Sequence, residues 1–164
     1  MTTTSAGCWP KNPGARPQLD GRPAAPRRAS GQVEGVPLHW LEFGERGGET
    51  PVVLLHGLND SHATWRRIAP ALARDRLVLA LDLPGHGFSG RPDASYELAW
   101  YARIVGRWFE SSGLERVDVV GHSFGGGVAQ MLLLDHRPRL RRLVLAAPGG
   151  LGKDIAFALR LASL

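Results

Sequence analysis

The stretch Arg116-Val-Asp-Val-Val-Gly-His-Ser123-Phe-Gly-Gly-Gly-Val-Ala-Gln-Met-Leu-Leu-Leu-Asp135 decides the fold. Arg116 to Gly121 is a short β-branched apolar run of strand length, and Phe124 to Asp135 has the length and composition of a helix. Between them Gly121-His122-Ser123-Phe124-Gly125 matches G-x-S-x-G in the strand–turn–helix context that gives this pattern meaning. Such a turn holds its central residue in a strained backbone conformation, so the residues two before and two after it need to lack a side chain. Gly121 and Gly125 meet that requirement. The Ser123 hydroxyl is then expected above the sheet edge, with N–H groups at the helix start facing any negative charge that develops there. Gly126 and Gly127 extend the run of small residues and read as close helix packing. A phosphate loop would follow its glycines with Lys-Ser or Lys-Thr, whereas Val128-Ala129 stands here.

Working outward, short apolar runs alternate with helix-length amphipathic segments from about Val33, the pattern of a mostly parallel sheet with crossover helices. Val36 to Phe43 alternates like an early, partly exposed strand. Pro51 to His56 is a continuous apolar run, as suits a strand buried on both faces. His62 to Arg74 is expected to be a helix burying Trp65, Ile68, Ala69 and Leu72, with Arg66, Arg67 and Arg74 solvated. Leu77 to Leu83 is the next buried strand, and Asp82 to Ser89 is a Gly/Pro loop at its carboxyl end, where α/β proteins bind ligands. Ser95 is a candidate cap for a helix reaching Ser111, with Leu98, Tyr101, Val105 and Trp108 on its inner face. Leu140 to Ala147 is a further strand, followed by Pro148-Gly-Gly-Leu-Gly152.

The chain has 164 residues, 43% of them hydrophobic, enough for one domain with a core. Its net charge of +5 is concentrated in residues 1–30, where Lys11, Arg16, Arg22, Arg27 and Arg28 face Asp20 alone. The basic balance belongs to a tail, and no nucleic-acid partner is expected. Five prolines, Pro10, Pro13, Pro17, Pro23 and Pro26, oppose an amphipathic targeting helix, so residues 1–30 read as a disordered extension. Cys8 is the only cysteine, which excludes an intrachain disulfide, and no Cys/His set has the sequence spacing of a metal site. No apolar run has the length of a secretory signal or membrane span, so a cytoplasmic protein with no membrane partner is expected.

Four segments in order resemble the α/β-hydrolase fold superfamily: Leu54-Leu-His-Gly57-Leu58, the Asp82 to Ser89 loop as D-x-x-G-x-G-x-S, the turn at Ser123, and Leu143 to Pro148 with Gly149 to Gly152. The resemblance covers residues 33 to about 155 and implies an α/β-hydrolase fold whose parallel sheet stops after about its sixth strand. It assigns residues 31–150 to the N-terminal part of that domain and 151–164 to the start of a cap. It makes Ser123 the nucleophile of an acyl-enzyme mechanism on a small ester-like or carbonyl substrate, with the backbone N–H groups of Leu58 and Phe124 as oxyanion hole and no cofactor. A serine here argues against haloalkane dehalogenase and epoxide hydrolase chemistry, which needs a carboxylate nucleophile. The Pro-Gly-Gly-Leu-Gly stretch resembles the cap start of meta-cleavage-product hydrolases, although those usually carry Asn where this chain has His122.

In this superfamily the acid and then the histidine follow the serine along the chain. Only 41 residues follow Ser123, no histidine lies beyond His136, and the late acids are Asp135 in the expected helix and Asp154 in the cap start. By the resemblance His56 and His122 shape turns, His86 is a loop hydrogen-bonder, and His39, His62 and His136 belong to surface elements. A triad missing its acid and base is expected to lose most of its rate. Two alternatives therefore stay open. One is an inactive fragment or interaction module that self-associates through the exposed sixth-strand edge. The other is acyl transfer or cofactor-free peroxidation on the same scaffold.

Overall fold

A computed structural model describes residues 25–149. The first 24 residues of the expected extension, including Cys8, and the expected cap start with Asp154 lie outside the described residues.

Six strands form one sheet: β1 (Arg27–Val33), β2 (Val36–Phe43), β3 (Glu49–Leu55), β4 (Arg76–Asp82), β5 (Val117–His122) and β6 (Leu140–Ala146), in the spatial order β1-β2-β4-β3-β5-β6. The β1/β2 and β2/β4 pairs are antiparallel, and β4/β3, β3/β5 and β5/β6 are parallel. This is the mostly parallel sheet of the α/β-hydrolase fold that the resemblance implies.

The central strands are apolar on both faces because both faces are covered. Leu77, Leu79 and Leu81 of β4, with Val53 and Leu55 of β3, enter the larger core beneath helices α2 (Leu98–Ser111) and α3 (Phe124–Asp135). Their neighbours Val78, Ala80, Val52 and Leu54 enter a smaller core with Trp65 and Ala69 on the opposite face. The inner face expected for α2 is present, with Tyr101, Val105 and Trp108 buried.

Three local expectations need correction. Residues 27–30, read as part of a disordered extension, belong to β1, which pairs with β2 from Arg27↔Glu42 to Val33↔Val36. Its sequence RRASGQV has no apolar alternation because nearly all of the strand is exposed, and its place depends on β2. The expected helix His62–Arg74 is a 3-10 turn (His62–Trp65) and one turn of α1 (Ala69–Leu72). Pro70 stands in the first turn of α1, where a missing N–H is tolerated, and it prevents one continuous helix. Trp65 and Ala69 are buried, but Ile68 and Leu72 are exposed. Finally, α2 begins at Leu98 with Glu97 rather than Ser95 before it, because Tyr96 has a left-handed backbone (φ 55°) that no helix contains.

Candidate active site

The order of the strands singles out one place at the sheet's carboxyl end. From β3 the chain passes to β4 on one side, whereas from β5 it passes to β6 on the other. A crevice opens where two adjacent parallel strands send their connections in opposite directions, and ligands of open α/β sheets bind there. The two segments flanking that crevice are His56-Gly57-Leu58 after β3 and Ser123 after β5.

Ser123 has φ 50° and ψ −115°, a conformation a serine adopts only when its surroundings impose it. Those surroundings are glycines. A Cβ on Gly121 would lie 2.5 Å from the Gly125 carbonyl oxygen, and one on Gly125 would lie 2.4 Å from that of Leu55. A Cβ on Gly126 would meet Pro148 at 2.7 Å, and one on Gly127 would meet the Leu98 side chain at 3.3 Å. The glycine run therefore serves close packing. The chain after β6 crosses behind the turn: Ser123 N–H donates to the Ala146 carbonyl (3.0 Å), and Gly149 N–H donates to the Ser123 carbonyl (2.7 Å). Gln130 holds that crossing by donating to the carbonyls of Gly126 and Gly149.

The first N–H groups of a helix have no partner within it. Here the Gly125 N–H donates to the His56 carbonyl, and those of Gly126 and Gly127 donate to the Ser123 carbonyl. Among the described residues neither the Phe124 N–H nor the Leu58 N–H has an acceptor. Gly57 lies close enough to the turn that a Cβ on it would meet the Ser123 Cβ at 3.4 Å. Phe124 directly follows the serine and Leu58 directly follows Gly57, so two unclaimed donors lie on the segments either side of the crevice.

His56 is buried and bonded at both ring nitrogens. Its Nε2 accepts from the Leu83 N–H (3.0 Å), so the ring proton is on Nδ1, which donates to the Gly57 carbonyl (2.7 Å). Burial lowers its pKa, outweighing the hydrogen bond to Gly57 that favours the cation. A neutral His56 therefore ties the Gly57-Leu58 turn to the loop after β4. His122 packs against Gly57 on the other side, 3.2 Å from the position of a Cβ there.

The loop after β4 is organised by Asp82, a fully buried carboxylate. Its Oδ1 accepts the His62 N–H (2.7 Å) and its Oδ2 the Phe88 N–H (3.0 Å). His39 Nδ1 lies 2.9 Å from Oδ2, and His62 Nδ1 lies 2.9 Å from Oδ2 and 3.0 Å from Oδ1. Burial alone would raise the Asp82 pKa, but these bonds outweigh it and hold the carboxyl below its ordinary value. Ser89 closes the loop by donating to the Asp82 carbonyl (2.6 Å), and a Cβ on Gly87 would fall 2.3 Å from the carboxylate carbon. The motif Asp82, Gly85, Gly87, Ser89 is thus a wrap around one buried carboxylate. His39 and His62, read from the sequence as belonging to surface elements, point into this cluster instead. The signal was hidden because the histidines lie 43 and 20 residues from Asp82 in sequence.

His86 bonds within its own loop, its Nδ1–H donating to the Pro84 carbonyl (3.0 Å). His136 packs against α2, where a Cβ on Gly106 would lie 2.2 Å from its Nε2. Among the described residues no imidazole or carboxylate hydrogen-bonds the Ser123 hydroxyl. A groove of about 640 Å³ lined by residues including Trp100, Arg103 and His136 contains none of Ser123, Leu58 or Phe124. No helix among the described residues is long and apolar enough to cross a membrane.

Comparison with known proteins agrees with this architecture. A family model described as alpha/beta hydrolase fold matches residues 50–160. An uncharacterized protein of Mycobacterium tuberculosis is 40% identical over 118 residues, 72% of this chain and 35% of its own length. The 2-hydroxymuconate semialdehyde hydrolase of a Pseudomonas species is 38% identical over 120 residues, 70% of this chain and 42% of its own. Among solved structures, a bacterial membrane phospholipase A superposes with a TM-score of 0.75 at 30% identity, covering 77% of this chain and 41% of that one. The chain thus spans well under half the length of these relatives.

Proposed function

The chain belongs to the alpha/beta hydrolase fold family, and we propose that it carries the nucleophile and oxyanion hole of a serine hydrolase acting on ester-like or carbonyl substrates. The observation that supports this most directly is Ser123 itself, held at φ 50° between strand and helix with the unclaimed N–H of Phe124 beside it. A strained conformation is maintained at a cost of about 1–3 kcal/mol, which a serine with only a packing role does not require.

In this reading the Ser123 Oγ attacks the substrate carbonyl carbon and its proton passes to a general base. The carbonyl oxygen becomes an oxyanion bonded by the N–H groups of Phe124 and Leu58. Collapse expels the leaving group, which takes up a proton, and leaves an acyl-serine; water then attacks the acyl carbon and regenerates Ser123. The family relatives support the carbonyl chemistry: one is named a semialdehyde hydrolase and another a phospholipase. The base is proposed to lie outside this sequence. His56 is locked neutral by two backbone bonds, His39 and His62 are committed to Asp82, His86 faces its own loop, His122 packs against Gly57, and His136 packs against α2. Leu58 and Phe124 act through the main chain, so the reading does not depend on their side chains.

The test is covalent labelling of the native protein with a fluorophosphonate, with its intact mass recorded in parallel. Labelling that is lost in Ser123→Ala, accompanied by p-nitrophenyl ester hydrolysis lost in the same variant, supports the proposal. A native protein that neither labels nor hydrolyses any ester in a broad panel refutes it. The second reading is an interaction module. It rests on β6, which has no strand partner on its outer side among the described residues and whose Val144 is 55% exposed. A concentration-dependent dimer in sedimentation, without labelling, favours that reading.

A further inference from the structure

A second constellation lies at the same end of the sheet and has no part in the acyl-transfer chemistry. His39 comes from β2, His62 opens the 3-10 turn, and Asp82 ends β4; each offers one donor atom, and the three atoms lie within 4.8 Å of one another. From the geometry we propose that His39, His62 and Asp82 form a binding site for one divalent transition-metal ion of the zinc class.

Two imidazoles and one carboxylate are a donor set that suits zinc and its neighbours in the first transition row. Both imidazoles present the same atom, Nδ1, to the same carboxylate at 2.9–3.0 Å. In a four-coordinate zinc site with bonds of about 2.0–2.1 Å, neighbouring donors stand about 3.3 Å apart. The nitrogen–oxygen separations here need to widen by only a few tenths of an ångström, while the two nitrogens draw together. Metal sites also depend on groups that orient the ligands. Asp82 has them already: a backbone N–H fixes each carboxylate oxygen, from His62 and from Phe88. The three ligands come from three separate elements, so an ion joins β2, the turn after β3 and the end of β4.

The position is partly covered. The ring of Phe88 lies 5.0 Å from that of His39 and 6.0 Å from that of His62, centre to centre, and Arg28 of β1 stands over its outer face. Phe88 is nevertheless 64% exposed, so solvent can reach the edge of the cluster. The side chains of His39 and His62 are themselves only 12% and 13% exposed. β3 separates β4 from β5, which places the cluster about 10 Å across the sheet from the Ser123 strand at the usual strand spacing. That separation keeps the ion out of reach of the Ser123 hydroxyl. Binding at Nδ1 moves the proton of each neutral imidazole to its Nε2, so the metal-free alternative is a clamp in which both Nδ1–H groups donate to the Asp82 carboxylate.

The test uses the full chain with Cys8→Ser, which removes the one thiol. Zinc is titrated by calorimetry, and Co²⁺ is titrated in parallel for its visible d–d absorption. The expected result is saturable uptake of one ion per chain, with a low-coordinate cobalt spectrum. His39→Gln and His62→Gln each weaken uptake by at least about tenfold. Imidazole ¹⁵N spectra of the chain with both histidines intact supply a readout that survives misfolding of either variant: zinc should shift His39 and His62 and leave His136 in place. The proposal is overturned by the absence of saturable binding at millimolar metal, by an affinity in either glutamine variant unchanged from that of the parent, or by zinc-induced shifts confined to other histidines. Folding stability that drops in the variants without any metal uptake identifies the cluster as a hydrogen-bonded clamp alone, which also overturns it.

Discussion

Replacing Gly125 with alanine tests how the Ser123 turn is built, and Gly127→Ala is its internal control. Both glycines lie in α3, so both substitutions gain about 1 kcal/mol of helix propensity. They differ in what the new methyl meets. At Gly125 it would lie 2.4 Å from the Leu55 carbonyl oxygen and 2.5 Å from that of His56, roughly 1 Å inside ordinary contact with two backbone atoms of β3 and its loop. At Gly127 it would meet the end of the Leu98 side chain at 3.3 Å and the Gly149 carbonyl at 3.4 Å, and these can yield by a few tenths of an ångström. Overpacking against an unyielding backbone costs about 1–3 kcal/mol. Moving α3 away also stretches the 3.0 Å bond from the Gly125 N–H to the His56 carbonyl, a further loss of about 1 kcal/mol. The net expectation is a destabilisation of about 2 kcal/mol for Gly125→Ala and a change near zero or slightly favourable for Gly127→Ala. With a urea m-value of about 1–3 kcal/mol/M for a domain of this size, the two midpoints should differ by about 1 M. Equilibrium urea unfolding followed by tryptophan fluorescence measures it. Equal midpoints for the two variants would refute the claim that α3 closes on the β3 backbone at Gly125 and not at Gly127.

Ser123→Gly removes the side chain from a left-handed position (φ 50°). Relief of about 1–3 kcal/mol of strain outweighs the entropic cost of glycine, so thermal unfolding should move to higher temperature while fluorophosphonate labelling is lost. His56→Gln should alter the pH dependence of stability. The folded pKa of His56 is lowered by burial, so below the unfolded value of about 6.5 the unfolded chain binds more protons and stability falls with acidification. Urea midpoints taken from pH 8 to pH 5 should therefore decline less in the variant than in the parent. Arg141→Met removes the paired contacts to the nearly buried Asp118 carboxylate (2.9 and 2.6 Å) that tie β6 to β5. A lower urea midpoint than the parent's is expected, with amide exchange rising first along β6.

Much of this protein was legible along the chain because the relevant signals are local. The central strands announce themselves as continuous apolar runs, since a strand buried on both faces has no polar side to present. Gly121, Ser123 and Gly125 fall within five residues, so their strand–turn–helix context could be read directly. The loop motif Asp82, Gly85, Gly87, Ser89 was visible as a pattern, but its meaning was not. Only folding shows that the glycines leave space for a buried carboxylate and that His39 and His62 converge on it. Pro70 was a local sign that the expected helix after His62 would break, and it was outweighed by apolar spacing that the structure leaves half exposed. Tertiary structure alone decided β1, whose polar residues acquire strand geometry from the hydrogen-bonding edge of β2. It also decided which N–H groups beside Ser123 remain unclaimed. Sequence determines the conformations a segment prefers by itself, whereas an edge, a shared carboxylate or a free donor exists only once distant segments have packed.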